Sequence, residues 1–323
     1  MAVEARQILD KDQWLAWRRS FVTAAKIGGL PAFNCHPYYT PLKIYAEMMG
    51  VEFDAASDDN PVLRRGRWLE PAVAKAVSEL RPQWGLTAPG VFLCDSEIGI
   101  GATPDYYITG DFRGRGILQI KTVAPSVWMR EWAKGEDIPL WVTLQTLTEM
   151  YLSEAAFGAV AVMLVDPHLM DVKILDVPRH AGAETKLINE VKRFMADTRA
   201  GREPMPDFQR DGTVLKLLLP REAPGAQIDL AGNNELPKLL AHRAQLMAQM
   251  KRDKQRCEVI ENRLKFIMGD AAIVTGLDGW GITFKTQKRK GYTVEPSEPR
   301  VLLIRDKRPE NERPTIEDEG EEG

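Results

Sequence analysis

Two stretches of this chain combine oxygen donors with a lysine in a pattern that suits divalent-metal chemistry on a phosphate group. The first is Gly101-Ala102-Thr103-Pro104-Asp105; the second is Gln119-Ile120-Lys121, at the end of an apolar run that reads as a strand over 116–122. Side chains two apart along a strand share a face, so Gln119 and Lys121 point one way and Ile120 points into the core. If the strands carrying the two stretches lie side by side, Asp105, Gln119 and Lys121 meet at one edge. Oxygens of Asp105, Gln119 and the Ile120 carbonyl then suit Mg²⁺, which takes an octahedral oxygen shell completed by water and phosphate. Such an ion polarises a phosphate and acidifies a bound water, while Lys121 positions that water or offsets transition-state charge. Glu70, on a helix, would complete the cluster. Plainer readings stand beside these: an aspartate after proline is often a turn residue, Gln119 and Lys121 could form the solvent face of an edge strand, and Glu70 could be an exposed helix residue.

Those residues need a scaffold that sets a strand edge against helices. From Gly90 the chain turns to short β-like runs over 91–94, 98–102, 106–108 and 116–122, with Gly110 and Gly114 marking the turn before the last. They read as a meander. Upstream, Asp12 is expected to cap a helix over 13–19, and Pro37 and Pro41 break the pattern before a helix over 42–49. Leu69, Val73, Ala76, Val77 and Leu80 recur at helical spacing in a segment over 61–80 that carries Glu70. Downstream come helices over 126–134 and 140–156, strands over 159–165 and 171–177, and a helix over 183–198. This order implies an α/β (α+β) fold with a mixed central β-sheet flanked by helices.

Pro204, Pro206, Pro220 and Pro224 mark a boundary. The core is placed at 1–215, a linker at 216–234, a helical arm plus small β-unit at 235–308 and an acidic tail at 309–323. The arm reads as a polar helix over 235–268 whose Leu246, Met250, Cys257, Ile260, Leu264 and Ile267 form a narrow coiled-coil-like seam, interrupted by Asp253. Runs at 273–274, 281–286 and 301–304 suggest the β-unit, with Lys285, Lys288, Arg289 and Lys290 in its loop. The tail, from Glu310 onward, is expected to be disordered.

Composition sets the broad class. At 323 residues, 44% hydrophobic and 28% charged, the chain matches an ordinary soluble protein rather than a fibrous or wholly disordered one. No apolar run approaches the roughly 18 to 20 residues of a membrane span, and the first residues lack a secretory apolar region, so a cytoplasmic protein without membrane association is expected. The three cysteines, Cys35, Cys94 and Cys257, lie far apart, and His36, His168, His180 and His242 show no paired spacing, which argues against a disulfide framework or a zinc site. A net charge of −3 argues against coating DNA by bulk positive charge but allows an acidic metal site beside one basic groove. Arg18 and Arg19 are candidates for phosphate contact, or for a solvated basic face.

In order and spacing, these motifs resemble the PD-(D/E)XK nuclease superfamily and, within it, the YqaJ-like viral recombinase family related to lambda exonuclease. Arg65-Gly66-Arg67-Trp68-Leu69-Glu70-Pro71 is similar to the family's G-x-x-x-E-P helix. The likeness continues through Gly101 to Asp105 and Leu118-Gln119-Ile120-Lys121-Thr122 to Gln145, which resembles the first glutamine of the Q-x-Q helix; the second position is Leu147. Trp14 to Arg19 and Val22-Thr23-Ala24-Ala25 resemble the W-x-x-x-R and I-T-A-S segments. The resemblance spans 12–206, and the arm beyond it is similar to extensions of YqaJ-like proteins.

The resemblance implies a restriction-endonuclease-like core and a Mg²⁺-dependent DNA exonuclease, with Mn²⁺ as substitute. It further implies resection of double-stranded DNA ends 5′ to 3′, an annealing recombinase as partner, and a homo-oligomeric ring around DNA. Glu70, Asp105, Gln119, Lys121 and Gln145 are the implied catalytic residues; Glu70, Asp105, Gln119 and Ile120 the implied metal ligands; Arg18 and Arg19 the DNA contacts. Two departures matter. Gln119 stands where the family usually has Glu or Asp, keeping a carbonyl oxygen but removing a negative charge. Ala25 stands where a serine usually helps hold the DNA end, leaving Arg18 as the contact to a terminal 5′-phosphate. The alternatives are an endonuclease of the same superfamily and a catalytically weakened DNA-binding or assembly protein.

Overall fold

The structure is a computed structural model that describes residues 3–53, 60–132, 137–166, 170–276, 279–288 and 300–304. The acidic tail, Arg289, Lys290 and His168 lie outside the described residues. The chain divides into two compact units, Met1–Leu219 and Pro220–Gly323. Among the described residues no helix is long and apolar enough to cross a membrane.

The first unit opens with β1 (Val3–Gln7), α1 (Lys11–Ser20), β2 (Val22–Thr23), a 3-10 segment (Ala24–Gly29), α2 (Pro41–Met48) and α3 (Pro61–Leu80). Asp10, rather than Asp12, caps α1: its carboxylate accepts the Gln13 N–H at 2.8 Å, while Asp12 sits in the first turn, where negative charge faces the helix dipole. Asn60 caps α3 with Pro61 at the first helical position, where the missing N–H costs nothing.

There follow β3 (Gly85–Thr87), β4 (Val91–Asp95), β5 (Ile100–Ala102), β6 (Tyr106–Thr109), β7 (Gly116–Val123), α4 (Pro125–Glu131), α5 (Leu140–Ser153), β8 (Phe157–Val165), β9 (Met170–Pro178), α6 (Ala181–Arg199) and α7 (Gly212–Leu218). The expected single meander is instead divided between two sheets. β4 and β5 belong to a four-stranded sheet of order β1-β4-β5-β2, and β6 and β7 to a five-stranded sheet of order β3-β6-β7-β8-β9. The chain changes sheet at Thr103-Pro104-Asp105, where Pro104 has no N–H to extend a ladder.

In the larger sheet β7 and β8 are parallel, from Gly116↔Phe157 to Val123↔Leu164, and the other pairs are antiparallel. A parallel pair needs a crossover, and α4 and α5 lie within it. Along β7 the side chains alternate. Leu118 and Ile120 pack with Val73, Ala74 and Val77 of α3, whereas Ile117 joins Val142, Leu147 and Met150 of α5. Each fully buried aliphatic contributes about 1.5–3 kcal/mol. A one-residue slip would put Gln119 and Lys121 beneath α3, so this burial fixes the register.

On another face, α5 packs Leu144, Tyr151 and Leu152 with Val22, Ile27 and Ile100 of the smaller sheet and its flanking segment, and is therefore enclosed by both sheets. The proline-rich boundary contains a helix: Val214 of α7, with Leu215 and Leu218, packs on Leu42 and Ala46 of α2.

The second unit holds α8 (Leu236–Met268) and an antiparallel pair, β10 (Ile273–Val274) with β11 (Ile282–Thr283). Leu246, Met250, Ile260, Leu264, Ile267 and Cys257 on α8 are exposed. Residues 301–304 form no strand, since no ladder partner takes them up among the described residues.

Candidate active site

Asp105 lies in the corner between β5 and β6, directly beside β7. One of its oxygens, Oδ2, accepts the Ile120 main-chain N–H at 2.8 Å and the Gln119 Nε2–H at 2.5 Å. Across the strand, Gln119 Oε1 accepts from Gln145 Nε2 of α5 at 2.7 Å, and Lys121 Nζ donates to Gln145 Oε1 at 2.9 Å. Gln119 and Lys121 thus share the face that alternation assigned to them. That face is not solvent: β7 is the middle strand of its sheet, and Gln119 is only 2% exposed. The chain of donors runs in one direction, from the Lys121 ammonium through Gln145 and Gln119 to Asp105. This direction turns the Gln119 amide nitrogen toward Asp105 and occupies its carbonyl with Gln145.

Glu70, on α3, is close enough to Asp105 and Lys121 to feel both charges. Burial first, then Asp105, pushes its carboxyl up to about 7, against the pull of Lys121. Burial also raises Asp105, opposed by Lys121 and by the two N–H donors, and lowers the Lys121 ammonium, opposed by Asp105, Glu149 and Glu70. The sequence-derived residues Glu70, Asp105, Gln119, Ile120, Lys121 and Gln145 are therefore neighbours.

Glu149 was not anticipated. It lies one turn beyond Gln145 on α5, is 1% exposed, and accepts from Gln145 Nε2 at 3.0 Å through Oε1, while its Oε2 has no hydrogen-bond partner. Its carboxyl is raised by burial and by Asp105. The signal was present, since residues i and i+4 share a helix face. The donor set fits a hard divalent cation: carboxylates, a main-chain carbonyl and a buried acceptor left unsatisfied. Among the described residues no three His, Cys, Asp or Glu groups converge to hold an ion unaided. An ion held here would need the Ile120 carbonyl and water as well.

A basic cluster adjoins this site. The Arg18 guanidinium of α1 lies 4.6 Å from the Trp14 ring centroid, and its pKa is lowered by burial against the pull of Tyr39 and Glu47. Trp14 Nε1 in turn donates to Thr103 Oγ1 at 3.0 Å, tying α1 to the corner that holds Asp105. Lys26, also missed by the sequence reading, is buried and pairs with Glu47 at 2.5 Å. Trp141 joins the two regions: its ring lies 4.9 Å from that of His36 and 5.5 Å from Lys121 Nζ. His36 itself is a structural fastener, since its Nδ1 accepts the Tyr38 and Tyr39 N–H groups, and burial with Lys121 and Lys43 pushes its pKa down to about 4. Arg19 takes a different partner, the exposed Glu52, at 2.8 Å.

Residues 13–156 match the model of the YqaJ-like viral recombinase domain. The similarity to a YqaJ-like domain covers less than half of the chain. It spans α1 to the end of α5, and so contains Glu70, Asp105, Gln119, Lys121, Gln145 and Glu149. Among solved structures, the alkaline exonuclease LHK-Exo of Laribacter hongkongensis, in its complex with dAMP, has a TM-score of 0.47 at 21% identity, covering 64% of this chain and 100% of that one. A phage-related exonuclease from Haemophilus somnus has a TM-score of 0.39 at 13% identity, with 57% and 93% covered. A SOX–DNA complex has a TM-score of 0.38 at 10% identity, with 62% and 71% covered. No curated protein matches the sequence.

Proposed function

We propose that this chain is a divalent-metal-dependent deoxyribonuclease of the phage recombination type that resects double-stranded DNA ends, 5′ to 3′, and so prepares single strands for an annealing recombinase. The observation that carries the reading is the hydrogen-bonded convergence of Asp105, Gln119, Lys121 and Gln145 beside Glu70, inside the region similar to a YqaJ-like domain. Asp105, Glu70 and the Ile120 carbonyl would hold the cation, Mg²⁺ or Mn²⁺. When bound, it supplies Lewis-acid polarisation of the phosphate and an acidified water. Lys121, oriented by Gln145, sets its positive charge where negative charge builds on the phosphate. Arg18, over the Trp14 ring, takes the terminal 5′-phosphate, and a homo-oligomeric ring keeps the enzyme on its substrate. Direction, ring and partner rest on the family resemblance.

The test is release of nucleotides from 5′-phosphorylated linear duplex with Mg²⁺ or Mn²⁺. Activity is expected in the wild type and is expected to fall by about 10² or more in Asp105→Ala and Lys121→Ala. Full activity in Asp105→Ala would overturn the site assignment, and cutting of closed circles would favour an endonuclease. Gln119 favours a second reading, a DNA-binding protein with weakened catalysis; end binding with no nucleotide release at any metal concentration would establish it.

A further inference from the structure

The family's usual acid is missing from position 119, yet the site is not short of carboxylates. Glu149 is buried on α5 at the point where Gln145 meets Gln119, and Gln145 Nε2 donates to both of them, at 2.7 Å to Gln119 and 3.0 Å to Glu149. One Glu149 oxygen is satisfied by that bond and the other has no partner. A buried, half-unsatisfied carboxylate is costly unless a cation or hydrogen-bond donor completes it. Nothing in the packing of α5 calls for an acid there: its neighbours Met150, Leu147 and Leu152 are core residues. Meanwhile the Gln119 carbonyl is taken up by Gln145 and its amide nitrogen faces Asp105, so in this arrangement position 119 offers the site a donor and no free oxygen.

We infer that Glu149 is a further acid of the metal site, a carboxylate carried on the crossover helix α5 in place of the one absent from β7, with Gln145 positioning it. The inference rests on the metal-dependent reading of the same site. The free Oε2 would reach the cation directly or through one water, and Gln119 would serve the site by holding Asp105 in place between cycles. The pairing also explains why a glutamine is tolerated at 119. With Glu70, Asp105 and Glu149 already in place, an acid on β7 would add a fourth carboxyl group beside one cation, Lys121.

The experiment is Mn²⁺ binding to the full chain without DNA, read by the loss of free-ion electron paramagnetic resonance signal, for wild type, Glu149→Gln, Asp105→Asn and a double variant that combines Gln119→Glu with Glu149→Gln. Thermal melts with and without the metal accompany each titration. Wild type is expected to bind, Asp105→Asn to lose binding, and Glu149→Gln to lose about 10-fold or more in affinity. In the metal-free state Glu149→Gln should melt at the same temperature as wild type or higher, because the amide replaces a buried carboxyl whose ionisation burial opposes and keeps the bond to Gln145. A residue with only a structural role would lose stability instead. The double variant, which returns the acid to the strand, should recover most of the lost affinity. Unchanged Mn²⁺ affinity in Glu149→Gln, with Asp105→Asn still defective, overturns the assignment of Glu149 and leaves the metal site standing. So does a double variant that folds and binds no better than Glu149→Gln. Absence of Mn²⁺ binding in wild type overturns both this inference and the reading on which it rests.

Discussion

Replacing Gln119 by glutamate is expected to destabilise the metal-free protein, in a manner that depends on pH. The Gln119 amide nitrogen lies 2.5 Å from Asp105 Oδ2. A carboxylate oxygen at that distance would repel Asp105 by roughly 7 kcal/mol at an effective dielectric constant near 20. The protein does not have to bear that full cost, because the introduced glutamate can retain its proton and donate it to Asp105. Keeping a carboxyl of ordinary pKa near 4.3 protonated costs about 1.4 kcal/mol per pH unit above that value, or about 4 kcal/mol at pH 7.5 and about 1.6 kcal/mol at pH 5.5.

The direction follows from linkage. A carboxyl whose folded pKa is raised binds more protons in the native state than in the unfolded state, so stability falls as pH rises through that window. For a domain of this size each kcal/mol shifts the melting temperature by about 2–4 °C, so Gln119→Glu should melt roughly 8–16 °C below wild type at pH 7.5 and a few degrees below it at pH 5.5. Differential scanning fluorimetry in EDTA, repeated with excess Mg²⁺, reads this out. Magnesium should narrow the gap, since a cation between the two carboxylates removes the repulsion. Equal melting temperatures at pH 7.5 in EDTA, or a gap that ignores pH, would refute the contact between Gln119 and Asp105.

Three further outcomes are expected. Glu70 holds its proton up to about 7, facing Asp105 from the β5–β6 corner and Lys121 from β7, so stabilisation by Mg²⁺ should be larger at pH 8 than at pH 6; a thermal shift that is equal or smaller at pH 8 contradicts this. Arg18→Ala should raise KM for 5′-phosphorylated ends and remove the preference over 5′-hydroxyl ends, with little change in kcat at saturation. A loss confined to kcat would place Arg18 elsewhere in the reaction. Gly28→Ala sets a methyl 2.8 Å from Trp141 Cβ, so overpacking should cost about 1–3 kcal/mol and displace the start of α5, seen as a lower denaturant midpoint.

How legible the site was in the sequence depended on how local each signal is. Alternation along β7 placed Gln119 and Lys121 on one face and Ile120 on the other because strand period is a property of the backbone itself. Helical spacing likewise gave α3 and, with it, the position of Glu70. The division into two sheets was not readable, since β4 and β5 differ from β6 and β7 in partner and not in composition; only β1 and β2, both short and far upstream, decide it. Asp12 and Asp10 are equally good caps as residue types, and the turn geometry chose between them. Glu149 was overlooked for another reason. It sits in a helix whose buried residues run from Val142 to Ser153 with few gaps, where an acid one turn from a recognised glutamine was itself the anomaly to notice. Lys26 is similar, a lysine whose burial its pairing with Glu47 and the Tyr39 ring make tolerable.

The crossover from β7 through α5 to β8 separates the wiring of the sheet from the chemistry on its face. Strand pairing uses main-chain atoms, and the helix seats itself through Val142, Leu147 and Met150. Neither depends on which of positions 119 and 149 bears an acid. If Glu149 supplies the acid, a survey of relatives that scores only the strand position would overlook it.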